Sequence, residues 1–205
     1  TTGMAATLEV FGKSYTTKLA MIGDFQLLNI CAALGLAIGC SFMPEQLMPH
    51  LPVLRSVRGR LEFAGETAQG SAIYVDYAHT PAALEKALNV MRKHCLGKLA
   101  VVFGCGGDRD PFKRPIMGNL AHDMSDYVIF TADNPRTESL SSILEDMTER
   151  LPDDGLREIV PDRREAIARA AAMATAGDII LVAGKGHEDY QIVGHEKTHF
   201  SDIQE

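Results

Sequence analysis

The sequence repeats one alternation four times: a short apolar run, then a stretch with apolar residues at helical spacing. The apolar runs are residues 71–77, 99–103, 126–131, a short one near 158–160, and 178–183. Between them lie stripes such as Leu84, Ala87, Leu88 and Met91 at i, i+3, i+4 and i+7, and Leu140, Ile143, Leu144, Met147 and Leu151. A third stripe is Ile167, Ala170, Ala171 and Ala174, after the capping-box pattern Asp162-Arg163-Arg164-Glu165. Thr80-Pro81 opens one helix, and Pro115 sits in the first turn of another. Strand, helix, strand in series requires right-handed crossovers, hence a parallel sheet covered on both faces. Residues 191–200, with Gly194-His195 at the middle, predict a terminal hairpin. The expected fold is α/β: a Rossmann-like, mostly parallel sheet with helices on both faces and an antiparallel edge hairpin.

The first sixty residues do not join this repeat. Residues 8–15 alternate loosely and 18–22 are apolar, so both are candidate strands. Asp24 is the expected cap of a helix running to about Gly39, with Leu28, Ala32 and Leu36 on its apolar face. Pro44 opens a short helix that Pro49 and Pro52 close. Prolines, Gly59 and the arginines 55, 58 and 60 coincide over residues 53–60, which marks a domain boundary. Two strands and two helices make a poor domain. The expected organisation is therefore a partial α/β domain over 1–60 and a complete one over 61–205.

Composition narrows the functional classes. Of 205 residues, 46% are hydrophobic and 23% charged, as in ordinary globular proteins. A formal net charge of −7 argues against bulk binding of nucleic acid. No apolar stretch reaches membrane-spanning length and the first residues carry no basic leader, so a cytoplasmic protein is expected. Cys31, Cys40, Cys95 and Cys105 lack metal-ligand or C-x-x-C spacing, which suits reduced thiols.

The chemistry gathers at strand ends. The run LAVVF (99–103) stops at Gly104-Cys105-Gly106-Gly107 and opens onto Asp108, Arg109, Asp110, Lys113 and Arg114. Glycines there permit a sharp turn and close approach to a ligand. A dinucleotide fingerprint fails, because Arg109 stands where the third glycine belongs, and no G-x-x-x-x-G-K-[ST] run exists in the chain. In a parallel sheet all C-terminal strand ends share one rim, which brings Asp76, Arg109, Asn134, Arg136 and Glu188 together. Arginines there suit carboxylates, and Asp133 and Glu188 suit ammonium groups. Such a rim fits a zwitterion, an amino acid with a second amine and a second carboxylate among them. Taken singly, each residue has a plainer reading. Asp133-Asn134-Pro135 is compatible with an Asx turn, Glu188 with a surface pair to Lys185, and His79 and His187 with structural roles. Asn29, one turn into its helix, is compatible with a solvated side chain. Convergence on one rim outweighs these. No metal-ligand spacing is present.

Four motifs carry a resemblance: VDYAHTP (75–81), GCGGDRDPFKRP (104–115), DNPRTE (133–138) and GKGHEDYQ (184–191). In this order they closely resemble the Mur ligases of peptidoglycan synthesis, and within them the branch that adds diaminopimelate. The resemblance implies that Asp133, Asn134, Pro135 and Arg136 recognise meso-diaminopimelate, with Arg109, Gly184 and Glu188 as further contacts. It implies nucleotide contacts at Asn29, Arg60 and Asp76, with His79 beside the last. Gln26 stands where many members carry Asn. The implied reaction is ATP-dependent amide formation: a carboxylate of the UDP-N-acetylmuramoyl dipeptide is phosphorylated, and the amine of diaminopimelate attacks the acyl phosphate, with Mg2+ balancing phosphate charge. The phosphate loop, the magnesium ligands, a carbamylated lysine and the UDP-sugar domain of that family belong upstream of this stretch. The chain thus reads as the end of the central ATP-binding domain plus most of the C-terminal domain, inactive by itself. Two other classes compete: an oxidoreductase domain binding a dinucleotide on the Rossmann-like sheet, disfavoured by Arg109, and a non-catalytic binding module.

Overall fold

A computed structural model describes residues 3–205. The chain divides into two compact units, one ending at Val57 and one from Arg58 to Glu205.

In the first unit, β1 (Met4–Val10) and β2 (Lys13–Leu19) form an antiparallel hairpin whose register runs from Met4↔Leu19 to Val10↔Lys13. Phe11 and Gly12 make the two-residue turn with φ of 51° and 76°, the primed geometry that matches strand twist. The strands expected at 8–15 and 18–22 are therefore misplaced, since the first straddles this turn. A left-handed phenylalanine is a poor turn signal. Helix α1 (Asp24–Gly39) also departs from expectation. Gly23, not Asp24, occupies the N-cap, and the buried face is Gln26, Ile30 and Leu34. Ile30 and Leu34 pack with Ala6, Leu8, Leu19, Met21 and Leu51. Leu28, Ala32 and Leu36, the expected inner face, are exposed, Leu28 and Leu36 at 69% and 74%. The helix is apolar nearly all round, so its periodicity does not select a face. After α2 (Pro44–Leu47) the chain tightens into a 3-10 turn over Met48–Val53 that contains Pro49 and Pro52.

The second unit holds the fourfold alternation. Its strands are β3 (Glu62–Glu66), β4 (Ala72–Asp76), β5 (Leu99–Phe103), β6 (Tyr127–Phe130), β7 (Arg157–Ile159) and β8 (Ile179–Ala183). Its helices are α3 (Pro81–His94), α4 (Lys113–Met124), α5 (Leu140–Thr148) and α6 (Arg163–Met173). The sheet order is β3-β4-β8-β5-β6-β7, parallel except for β3. Three connections step one way across the sheet, and β7→α6→β8 steps back into the slot between β4 and β5. Right-handed crossovers then put α3, α4 and α5 on one face and α6 on the other. Packing agrees. Ala166, Ile167, Ala170 and Ala174 of α6 bury against Val75, Val102, Ile129, Ile180 and Val182. The alternate residues Tyr74, Val101, Phe103, Val128, Phe130 and Leu181 are equally buried beneath the opposite face.

The antiparallel edge comes from β3, hairpinned to β4. The hairpin of β9 (Tyr190–Val193) and β10 (Glu196–His199), expected from residues 191–200, forms a separate two-stranded sheet. It joins the loop after β6 at a bridge between Arg136 and Val193 and through bonds from the Gln191 side chain to Asp133 O and from Ile192 N to the Asn134 side chain. Thr80 and Asp162 cap α3 and α6 through bonds from Ala83 N and Glu165 N, as their sequences indicate.

Candidate functional site: a mixed-charge pocket at the strand ends

The loops after β5 and β6 are tied to each other. A Cβ on Gly104 would lie 2.3 Å from Thr131 O, and one on Gly107 would lie 1.9 Å from Pro135 O, so both need glycine for the two loops to touch. Gly107 N donates to Asn134 O at 2.9 Å, and Arg136 Nη1 donates back to Gly107 O at 2.6 Å. Asp108 accepts from the Thr137 hydroxyl at 2.8 Å and from Thr137 N, which hold its carboxyl below the usual carboxylate range. Its own N–H donates to Glu138. Arg114, counted in the sequence among the loop charges, is buried and pairs with Glu138 and Asp146 at 2.8 Å. It braces the loops and leaves Arg109 and Lys113 as the outward cations.

A pocket of about 330 Å³ opens over these loops, lined among others by Tyr77, His79, Cys105, Arg109, Lys113, Asp133, Asn134, Arg136, Gly184, Glu188 and Tyr190. Six of the seven residues expected to contact the amino acid therefore share one cavity. Pro135 does not line it. It is buried behind the loop, facing a second cavity with Arg163 and Phe200, and its carbonyl accepts from Glu138 N. Its contribution is to the shape of the turn. Arg136 adopts φ 52°, a left-handed conformation uncommon outside glycine, and is held there from both sides. Arg136 N donates to Ile192 O, and Gly194 N donates to Arg136 O at 2.7 Å. With five N–H donors, its guanidinium keeps capacity beyond the bonds to Gly107 and Asn134 carbonyls.

Beneath the pocket lies a buried charge cluster that sequence reasoning missed. Lys185, which the plainer reading of the sequence sets on the surface beside Glu188, has a fully buried side chain. Its Nζ donates to Asn134 Oδ1 at 3.1 Å and stands 3.7 Å from Glu188 Oε2. Asn134 is correspondingly occupied, with Oδ1 also accepting from Ile192 N and Nδ2 donating to Glu188 Oε2 at 2.9 Å. Arg163 donates to Asp202 at 2.7 and 2.8 Å, to Ala132 O and to Ala183 O. One guanidinium thus fixes the carbonyls immediately before Asp133 and Gly184. Burial pushes the Asp133 carboxyl up, against the pull of Arg163 and Lys185, and burial pushes the Lys185 ammonium down. Gly184 has φ 113°, and a Cβ there would meet Asp133 Oδ2 at 2.7 Å. The cluster sets two cations, Arg163 and Lys185, against three carboxylates, Asp133, Glu188 and Asp202. A bound ammonium would balance it, while Arg109, Lys113 and Arg136, which line the same pocket, offer charge to carboxylates.

Cys105 also lines the pocket, but burial pushes its thiol up to about 12, which makes it an inert wall. Tyr77 packs against His79 and His187 at 4.5 and 4.9 Å between ring centroids, with the Arg60 guanidinium 5.0 Å from its ring. Asp76, expected on the rim, turns inward. Burial pushes its carboxyl up, and Oδ2 accepts from Leu61 N at 2.8 Å. Asn29 is exposed beside an apolar hollow of the first unit, whereas Arg60, Asp76 and His79 belong to the second. Among the described residues no three His, Cys, Asp or Glu side chains gather as a cation cage, so the residues present do not fit a magnesium site. No helix among the described residues is long and apolar enough to cross a membrane.

A doubly wound sheet with a mixed-charge pocket at its strand ends defines an α/β domain of the ligand-binding kind. Residues 59–186 match the family model described as "Mur ligase, glutamate ligase domain", and the chain belongs to the Mur ligase family. A UDP-N-acetylmuramoyl-L-alanyl-D-glutamate–2,6-diaminopimelate ligase of Chelativorans sp. (strain BNC1) is 46% identical over 97% of this chain and 40% of its own length. A solved structure of a ligase with the same description superposes with TM-score 0.73 at 38% identity, covering 98% of this chain and 41% of that one. A MurF ligase from Thermotoga maritima, solved in complex with ADP, shares the fold at TM-score 0.65 and 20% identity, over 91% of this chain and 40% of its own. The chain spans about 40% of the length of the curated relatives it matches.

Proposed function

We propose that this pocket binds meso-diaminopimelate for an ATP-dependent ligase that joins it to UDP-N-acetylmuramoyl-L-alanyl-D-glutamate, in a protein longer than this chain. The observation that carries the reading is the convergence of Arg109, Arg136, Asp133 and Glu188 on one cavity, two charges of each sign for a ligand bearing both. The names of relatives at about 46% identity supply the particular amino acid. In this account Arg136, with Arg109, meets the far carboxylate, and Asp133 and Glu188 take an ammonium group. Asn134 orients Glu188 through its Nδ2 bond, and Gly184 clears space for Asp133. Residues 1–60 form the end of the central nucleotide-binding domain and 61–205 the amino-acid domain. Asn29, Arg60, Asp76 and His79 serve the nucleotide. The ATP phosphates and Mg2+ are held by groups outside this chain, in the cytoplasm. When bound, ATP supplies the phosphoryl group that activates the acceptor carboxylate. This chain's own residues hold and aim the attacking amine.

Selectivity tests the reading. Lysine lacks the second carboxylate of diaminopimelate, so only the latter needs the Arg136 fork. In the full-length protein, Arg136→Ala should lower kcat/KM for diaminopimelate by on the order of a hundredfold or more, with ATP parameters little changed. The smaller activity with lysine should fall much less. Equal losses for the two amino acids would mean that Arg136 shapes the loop without reading the substrate.

A further inference from the structure

Lys185 has a fully buried side chain and does not line the pocket, yet it touches two residues that do. Its Nζ lies 3.1 Å from Asn134 Oδ1 and 3.7 Å from Glu188 Oε2. A buried ammonium is costly unless its charge is used. We propose that Lys185 is a positioning residue for amino-acid binding: it helps hold the Asn134 amide in one orientation and sets a buried positive charge beside the pocket carboxylates that await an ammonium. The inference rests on the amino-acid reading of the pocket.

Orientation comes first. An Asn side chain presents either its oxygen or its NH2 to a neighbour. Lys185 and Ile192 N both donate to Oδ1, which forces Nδ2 toward Glu188, where it donates at 2.9 Å. Turning the amide would set NH2 against the Lys185 ammonium and oxygen against the Glu188 carboxylate, two repulsive contacts. Lys185 and the Ile192 N–H together therefore set where the Glu188 carboxylate stands.

Charge comes second. The groups facing Lys185 from the packed elements are Asp133 after β6, Glu188 in its own loop, Arg163 at the start of α6, Asp202 in the C-terminal segment, and the ring of Tyr190, 5.7 Å away. Arg163 is committed to Asp202 in a bidentate pair. Lys185, 3.7 Å from Glu188 Oε2, is then the cation that shares with Arg163 the balancing of Asp133 and Glu188 until a substrate ammonium arrives. Burial favours the neutral form of Asp133, and Arg163 and then Lys185 oppose that. Without Lys185, Asp133 would take up a proton at higher pH and lose the charge that attracts an ammonium.

The test uses the full-length enzyme with Lys185→Met, which matches the chain length without charge or donor, and Lys185→Gln, which keeps a donor without charge. Both should raise KM for diaminopimelate by roughly 30-fold or more, while KM for ATP and for the UDP-linked dipeptide stays near wild type. Both should also move the acid limb of kcat/KM for diaminopimelate to higher pH, with Lys185→Met the more impaired of the two. Unchanged KM and pH profile in either folded variant would overturn the proposal, as would equal loss toward all three substrates with an unmoved acid limb. Arg136→Ala and Glu188→Gln serve as controls. If these also leave KM for diaminopimelate unchanged, the amino-acid reading itself has failed; if they raise it while the Lys185 variants do not, only the Lys185 inference falls.

Discussion

At the scale of single residues, the pocket is built by conformations and charges that ordinary sequence positions avoid. Arg136 is left-handed at φ 52°, Gly184 sits at φ 113°, and Lys185 is a buried amine. Local strain of this kind persists only where the surroundings enforce it, and it gathers where a ligand must be met. Gly184 gives the sharpest case. A side chain there is strained by φ and would also press on Asp133 Oδ2, whose buried carboxylate has little room to retreat. Gly184→Ala should cost about 1–3 kcal/mol of stability and also weaken diaminopimelate binding. A thermal melt together with KM for diaminopimelate checks both. A variant with wild-type Tm and KM would show that Asp133 yields freely.

At the scale of elements, the site depends on keeping the loops after β6 and β8 a fixed distance apart, although β5 lies between them. Arg163 spans that gap from the first turn of α6, bonding Ala132 O, Ala183 O and Asp202. Arg163→Met would leave the Asp202 carboxylate buried and unpaired, which should destabilise the domain by about 3–5 kcal/mol. Replacing both, with Asp202→Leu added, should recover part of the loss. Denaturant midpoints of the two variants decide it, and a double variant no more stable than the single one would contradict the ion-pair account. The same elements show what the sequence makes legible. The stripes of α3, α5 and α6, the caps Thr80 and Asp162, and the rim shared by Arg109, Asn134, Arg136 and Glu188 follow from periodicity and parallel topology alone, whereas Asp76, expected on the same rim, does not reach it. Arg163 and Lys185 do not, because a charged residue at a helix start or in a glycine loop looks solvated until the fold buries it. The signal that was available is the pair of glycines around Lys185 just after a fully buried strand. The inner face of α1 was illegible for another reason: Leu28, Ala32 and Leu36 compete on equal terms with Ile30 and Leu34.

At the scale of the whole molecule, the second unit unites a mixed-charge pocket with the Mur ligase fold, and the chain covers about 40% of its relatives' length. The central claim is that one pocket at the ends of β4, β5, β6 and β8 holds meso-diaminopimelate. A crystal structure of the full-length protein with bound meso-diaminopimelate tests this most directly. The account predicts density in the cavity between Arg109, Arg136, Asp133 and Glu188, with a carboxylate within hydrogen-bond distance of the Arg136 guanidinium and an ammonium between Asp133 and Glu188. Density in the neighbouring cavity beside Pro135, Arg163 and Phe200, or a ligand in the pocket with its ends reversed, would contradict it.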